Sequence, residues 1–222
     1  MEYWEKHKKA VIKYAKSTKP QALRDAIHVL SREAATFNPV IAKAIYDIYA
    51  EDGNVLDPFS GWGDRAIGAL GSPRVKKYIG VDANPNLKLG YQRLKEELDH
   101  DDKITFNIQD IRSFDTDEKF DLIFTSPPYY DFEVYSDEES QSITGFNTYE
   151  EWYKGFMVPI LTKLAQFLTP GGRLILHIGA TNRTKTFHTD TIGTLKQIGL
   201  TMVQEIHCIT KGKPYVPIWV FQ

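Results

Sequence analysis

From Asn54 onward, short apolar runs alternate with stretches long enough to be helices, and this alternation restricts the fold more than any other feature of the chain. The runs are 55–56, 78–81, 104–106, 121–125, 173–178, 202–209 and 216–221; the helix candidates between them are 63–70, 86–99, 149–167 and 189–198. Strands of nearly unbroken apolar character that alternate with helices predict an α/β domain, a mainly parallel sheet buried on both faces. The last two runs are joined by Lys211-Gly212-Lys213-Pro214, short enough to predict an antiparallel hairpin at one edge. In open sheets of this kind ligands lie beyond the carboxyl ends of the strands, near the point where the strand order reverses. Chemistry is therefore expected just after strands one to four.

Upstream of this pattern, about 50 residues read as helical. Residues 6–16 are lysine-rich with Tyr3, Val11 and Tyr14 at loosely helical spacing, Pro20 restarts the chain, and Leu23, Ile27 and Leu30 form an apolar stripe in 22–30. Asn38 followed by Pro39 is a helix start, a capping side chain and then a residue pre-set for the first turn. The expected organisation is a helical N-terminal extension over 1–50 and one domain over 51–222. With 42% hydrophobic and 25% charged residues, the composition is that of a globular protein. No apolar run approaches the ~20 residues that span a bilayer, and the N-terminus lacks the apolar segment of a signal peptide. The expectation is a soluble cytoplasmic or other intracellular protein without membrane contact. One cysteine, Cys208, excludes an internal disulfide and a cysteine-based zinc cluster. The six histidines lack a spacing such as H-x-x-x-H, so no metal is expected. Lysine and arginine are concentrated at the two ends, and the stretch 99–139 holds thirteen acidic residues against three basic ones.

Each of the first three strands ends on a carboxylate. After the first comes Asp57-Pro58-Phe59-Ser60-Gly61-Trp62-Gly63-Asp64-Arg65, in which Gly61 and Gly63 allow a tight turn and a close approach of backbone to ligand. Ala66 stands where a dinucleotide fingerprint needs a third glycine, so a pyrophosphate cradle is disfavoured and Asp57 suits a cationic amine instead. After the second strand, Asp82 can accept both hydroxyls of a ribose, or it caps the helix that starts beyond Pro85. After the third, Asp110 can accept from an adenine amine with Ile111 packed on the ring, or it is an ordinary turn residue.

The fourth strand runs straight into Thr125-Ser126-Pro127-Pro128-Tyr129. Together, Asp-Pro-Phe-x-Gly-x-Gly after strand one and Ser-Pro-Pro-Tyr after strand four resemble the S-adenosylmethionine (SAM)-dependent amino-methyltransferases of nucleic acids. The serine form of the loop is most similar to N4-cytosine DNA methyltransferases, and Phe37-Asn38-Pro39 resembles the family segment that touches the methionine end of the cofactor. The likeness covers roughly 37–180. It implies a Rossmann-like class I fold with strand order 3-2-1-4-5-7-6 and strand seven antiparallel. SAM would then be held by Gly61, Gly63, Asp82, Asp110 and Ile111, with Phe37, Asp57 and Phe59 around its methionine part.

Chemistry accounts for the residue types in the loop. An exocyclic amine on an aromatic ring is a poor nucleophile because its lone pair is delocalised. The Ser126 hydroxyl and the Pro127 carbonyl would draw on its N–H groups and favour the pyramidal nitrogen, while Pro127 and Pro128 stiffen the loop and Tyr129 offers a stacking face. Cytosine C5 methylation needs a nucleophilic cysteine, and Cys208 lies inside a predicted strand. The acceptor implied is cytosine N4 or adenine N6 in DNA, with RNA, a protein amide or a small amine as the alternative and a non-catalytic partner subunit as a second. The chain has no room for a large target-recognition region, which a dimer or partner would have to supply. Its one sizeable insertion near the loop, the 18 residues from Tyr130 to Asn147, carries Asp131, Glu133, Asp137, Glu138 and Glu139 and no lysine or arginine. Such an insertion repels phosphate; Arg183, Lys185, Lys211 and Lys213 are the cations expected to counter it.

Overall fold

A computed structural model describes residues 2–20, 22–23, 26–27, 37–130, 142–179, 184–207 and 216–222. The chain divides into two compact units, Met1–Ala35 and Thr36–Gln222. The first contains α1 (Glu2–Ala15); the expected helix at 22–30 lies largely outside the described residues.

The second unit opens with α2 (Pro39–Tyr49). Asn38 holds extended backbone and its side chain accepts the Val40 N–H at 2.9 Å, so the expected cap forms. Then follow β1 (Gly53–Asp57), α3 (Asp64–Leu70), β2 (Val75–Asp82), a 3₁₀ turn at Pro85–Leu87, α4 (Lys88–Leu98), β3 (Ile104–Ile108) and β4 (Phe120–Thr125). The chain continues with α5 (Tyr149–Trp152), a π-helical turn (Tyr153–Met157), α6 (Val158–Phe167), β5 (Leu168–His177), α7 (Phe187–Gln197), β6 (Met202–His207) and β7 (Pro217–Phe221). No described helix is long and apolar enough to cross a membrane.

The seven strands form one sheet in the order β3-β2-β1-β4-β5-β7-β6. β1 to β5 run parallel, and β7 is antiparallel to both β5 and β6. Order, direction and hairpin match the expectation. Alternation along the strands assigns each side chain to a face. Val55, Tyr78, Leu122, Phe124 and Ile175 join Ala42, Ile45 and Tyr46 of α2 and Ala66 and Ala69 of α3 in one buried cluster. Leu56, Ile79, Val81, Ile123, Leu174 and Leu176 join Trp152, Phe156, Leu161 and Phe167 in the other. Burying a Leu, Ile or Phe in either is worth roughly 1.5–3 kcal/mol, which is why the central strands read as continuous apolar runs.

The expected helix over 149–167 forms over those bounds with one irregularity, and the start of β5 lies away from its expected place. The helix over 149–167 contains the π turn, which precedes Pro159, a residue without the N–H that would bond the Gly155 carbonyl. β5 begins at Leu168, before the expected Arg173, because an irregularity between Phe120 and Leu122 pairs Phe120 with Leu168 and lets Pro170-Gly171-Gly172 enter the strand.

Candidate active site

Because β1 to β4 are parallel, Asp57, Asp82, Ile108 and Thr125 close one edge of the sheet, and the expected motifs all begin there. The order reverses between β1 and β4, so the crevice lies where such folds hold ligands.

The loop after β1 is laced to the end of β2. The Ser60 N–H donates to the Val81 carbonyl at 2.9 Å, and the Gly61 N–H donates to Asp82 Oδ2 at 2.8 Å. The Tyr91 hydroxyl donates to the Gly61 carbonyl at 2.6 Å and meets Ser60 Oγ at 2.9 Å. Tyr91 itself stacks on Phe106 with ring centroids 3.7 Å apart. Gly61 (φ 53°) and Gly63 (φ 87°) both adopt the left-handed region, yet they serve different ends. A Cβ on Gly63, the N-cap of α3, would stand 3.0 Å from Leu94 Cδ1, whereas a Cβ on Gly61 would meet nothing within 4 Å. Gly61 therefore lays bare backbone along open space.

Asp82 faces that space. Its two oxygens accept one backbone N–H each, from Gly61 and, at 3.0 Å, from Asn84. A carboxylate offers about four acceptor sites, so two hydroxyls can still be taken. Asp82 thus holds the start of the 3₁₀ turn and keeps capacity for a ligand. Burial raises its pKa, against the opposing pull of the Asn84 and Gly61 N–H groups.

Asp57 is not available to a ligand amine. Its fully buried carboxylate accepts Arg65 Nε at 2.8 Å and Arg65 Nη2 at 3.1 Å, the Tyr78 hydroxyl at 2.7 Å and the Thr125 hydroxyl at 2.8 Å. Arg65 also donates to the Phe59 carbonyl. Asp57 is the keystone of a buried polar cluster under the glycine loop. Ile111 is 3% exposed and belongs to the core cluster that includes Phe114. Asp110 keeps its place at the rim but is bound by Arg112, with Nη2 at 2.6 Å, and Arg112 lies over the Phe156 ring at 5.3 Å. An amine there must share the carboxylate with a guanidinium. Phe59, half-buried, tilts against Phe156 at 6.3 Å.

At the end of β4 the register pairs Thr125 with Leu176 and so brings Ser126 beside His177. The Ser126 hydroxyl donates to the His177 carbonyl at 3.1 Å and lies 3.4 Å from His177 Nδ1. Pro127 is buried and Pro128 half-buried. The Tyr129 hydroxyl accepts the Gly179 N–H at 2.9 Å and its ring packs edge-on against Phe187 at 5.3 Å, so the loop is fixed at both ends. Phe37 joins the two halves of the site. Its ring meets His177 at 5.2 Å and Phe124 at 5.6 Å, both edge-on, and carries the Arg65 guanidinium at 5.4 Å. Burial, reinforced by the nearby Arg65 cation, pushes the His177 pKa down to about 4, and the imidazole is neutral at neutral pH.

Sequence reasoning gave no role to Tyr91, Arg65 or His177. Arg65 stands inside the glycine motif and His177 closes a predicted strand, so both were in view as positions but not as partners. Trp62 is 63% exposed, and Tyr130 tilts against Trp152 at 5.8 Å. The acidic residues between 131 and 139, Arg183, Cys208, Lys211 and Lys213 lie outside the described residues; Lys185 is exposed.

No family model matches the sequence, and no curated protein sequence matches it. Solved structures do. The N-methyltransferase NodS of Bradyrhizobium japonicum WM9 is 17% identical with a TM-score of 0.57, over 82% of this chain and 92% of its own. The magnesium protoporphyrin IX methyltransferase ChlM of Synechocystis PCC 6803, solved with bound SAM, is 15% identical with a TM-score of 0.58, over 99% and 93%. TrmN of Thermus thermophilus is 22% identical with a TM-score of 0.55, and the likeness spans 83% of this chain and 48% of that one. The fold is the Rossmann-like fold of class I SAM-dependent methyltransferases.

Proposed function

We propose that the chain is a SAM-dependent methyltransferase that methylates an exocyclic amino nitrogen, with cytosine N4 or adenine N6 in DNA as the acceptor. The observation that carries this is Ser126. Its hydroxyl hydrogen is directed at His177, so its lone pairs are left to accept an amine hydrogen, on the same sheet edge as the open Gly61 backbone and Asp82. The cofactor fits these residues: Gly61 leaves space where any side chain would intrude, and Asp82 retains lone pairs for ribose hydroxyls. When bound, SAM supplies an electrophilic methyl group. Gly61 and Gly63 shape the bed for it, Phe37 and Phe59 wall its methionine end, and Asp110 sits at the adenine end. Ser126 Oγ and the Pro127 carbonyl hold the amine, and Pro128 and Tyr129 keep that pair in place.

RNA is the second reading for the acceptor. The acidic run between Tyr130 and Asn147 disfavours a long duplex contact, and the solved structures with this fold include a tRNA methyltransferase, TrmK of B. subtilis. On the DNA reading, a dimer or a partner protein supplies target recognition. The test is transfer of labelled methyl from SAM to unmethylated DNA, to RNA and to nucleic-acid-free extract. Label in DNA that digests to N4-methylcytosine or N6-methyladenine is the expected result; label confined to RNA, protein or small molecules ends the DNA assignment.

Two predictions belong to the cofactor half. Gly61→Ala should cost only about 1–2 kcal/mol of stability, the price of a Cβ in the left-handed region, while weakening SAM binding at least tenfold in a titration. An equal affinity would show that the space beside Gly61 is not the cofactor's. For Asp82 the sign of the pH effect separates two roles. Its folded pKa is raised, so the stability it contributes is full below the unfolded value of about 3.9 and is lost as pH rises through the folded value. Ribose binding needs the ionised form and must change in the opposite sense. SAM affinity should rise across the interval in which this group's contribution to stability falls, and Asp82→Ala should cost tenfold to about 10²-fold in affinity and abolish that pH dependence. A calorimetric titration at several pH values reads both.

A further inference from the structure

Among the described residues, the side chain that the Ser126 hydroxyl meets is that of His177. Its surroundings are specific. Parallel pairing of β4 with β5 fixes it beside Ser126, antiparallel pairing of β5 with β7 sets it opposite Ile218, and the Phe37 ring closes it off at 5.2 Å. The charged group acting on it is Arg65, across the Phe37 ring, itself held by Asp57. Such an environment keeps the imidazole uncharged, with one nitrogen bare and one bearing a proton. Ser126 Oγ has two acceptors on this one residue, the carbonyl at 3.1 Å and Nδ1 at 3.4 Å. A small rotation of the hydroxyl hydrogen carries it from one to the other.

We infer that His177 is a positioning residue that acts through Ser126, aiming the serine hydroxyl and taking up the proton released by the methylated amine, a role that rests on the methyltransferase reading above. An amine that gains a methyl group becomes cationic and must shed one proton for each turnover. Ser126 Oγ accepts that proton as the N–H bond breaks, while its own hydroxyl proton passes to Nδ1. One O–H bond forms as another breaks, the serine ends neutral, and the charge moves to the imidazole, from which water later removes the proton. A nitrogen whose lone pair belongs to an aromatic ring is a strong acid once alkylated, so a feeble base suffices. The lowered pKa of His177 fits this: the ring is bare when needed and releases the proton readily.

Two measurements test it, the first without turnover. In ¹⁵N-histidine spectra of the wild-type protein, His177 should show a bare Nδ1 and a protonated Nε2, and Ser126→Ala should shift the Nδ1 signal. A protonated Nδ1 in the wild type overturns the proposal. The second is single-turnover methyl transfer to unmethylated plasmid DNA. His177→Phe keeps the ring volume against Phe37 and should react about 10²-fold more slowly with its SAM affinity within twofold of wild type. The His177→Phe/Ser126→Ala pair should be no slower than Ser126→Ala alone, because one path is broken by either change. His177→Asn, with an acceptor near the Nδ1 position, should fall between wild type and His177→Phe, and it carries the comparison if the phenylalanine variant does not fold. A His177→Phe rate within threefold of wild type, or losses that multiply in the double variant, overturns the proposal. Wild-type protein that labels RNA or protein and not DNA sinks the DNA reading alone, and the labelled acceptor then replaces DNA in the same comparison. Label in none of them, with SAM bound, overturns both.

Discussion

Asp57→Ala should lower the unfolding free energy by about 3–5 kcal/mol, the usual result of removing one partner from a buried ion pair. The reason lies in what remains. Arg65 would keep a buried charge with the Phe59 carbonyl and the Phe37 ring but no counter-charge, and the hydroxyls of Tyr78 and Thr125 would each lose the Asp57 acceptor. Asp57→Asn should cost less than alanine, since the amide oxygen still accepts, although its NH₂ faces donors. Urea denaturation of the protein without SAM is the measurement. It separates two assignments for this residue, because a carboxylate reserved for a ligand amine would leave that stability unchanged on removal and lose only affinity. Replacing Asp57 and Arg65 together by leucine should recover part of the loss, as buried pairs exchanged whole for apolar residues often do.

The same cluster shows what can and cannot be read along a chain. The strands were legible because burial on both faces leaves their sequences apolar throughout, and the parallel arrangement follows from the helices between them. The carboxyl edge was legible for the same reason: once Val55-Leu56 and Asp121 to Thr125 are strands, Asp57 and Ser126 have nowhere else to be. Partners were not legible. Tyr78 and Thr125 reach Asp57 from separations of 21 and 68 residues, and no local signal says that those two hydroxyls converge. Arg65 is only eight residues away, but its direction depends on where the first turn of α3 begins, which Gly63 sets through its left-handed backbone. The surroundings of Ile111 were not legible because a residue one position past a strand-end carboxylate can face ligand or core, and its burial comes with the cluster it shares with Phe114. Tyr91 was invisible for a further reason. It is the one buried residue of α4, which reads as a core anchor, and only the structure shows its hydroxyl reaching the Gly61 carbonyl. The π turn within 149–167 was not legible because it depends on the missing N–H of Pro159, nor was the start of β5, which depends on the pairing of Phe120 with Leu168.

Ser126→Ala should reduce the rate of methyl transfer by about 10³-fold, the scale seen when one preorganised partner of a developing charge is removed, with SAM affinity unchanged. The affinity should hold because Ser126 lies at the end of β4, while the cofactor bed is built from the β1 and β2 ends, and the hydroxyl bonds only to His177 among the described residues. Folding should lose no more than about 1 kcal/mol, the net worth of one such bond, so a fall in rate cannot be ascribed to unfolding. Holding the amine requires a lone pair at this position, and the hydroxyl adds the passage of a proton to His177. Ser126→Asn, whose side-chain carbonyl also accepts, should therefore retain more activity than alanine, and Ser126→Cys, with a weak acceptor of similar shape, should stay close to alanine. This ranking follows acceptor strength and not volume. A cysteine variant as fast as wild type would mean that Ser126 merely fills space, and that the amine is held by the Pro127 carbonyl alone.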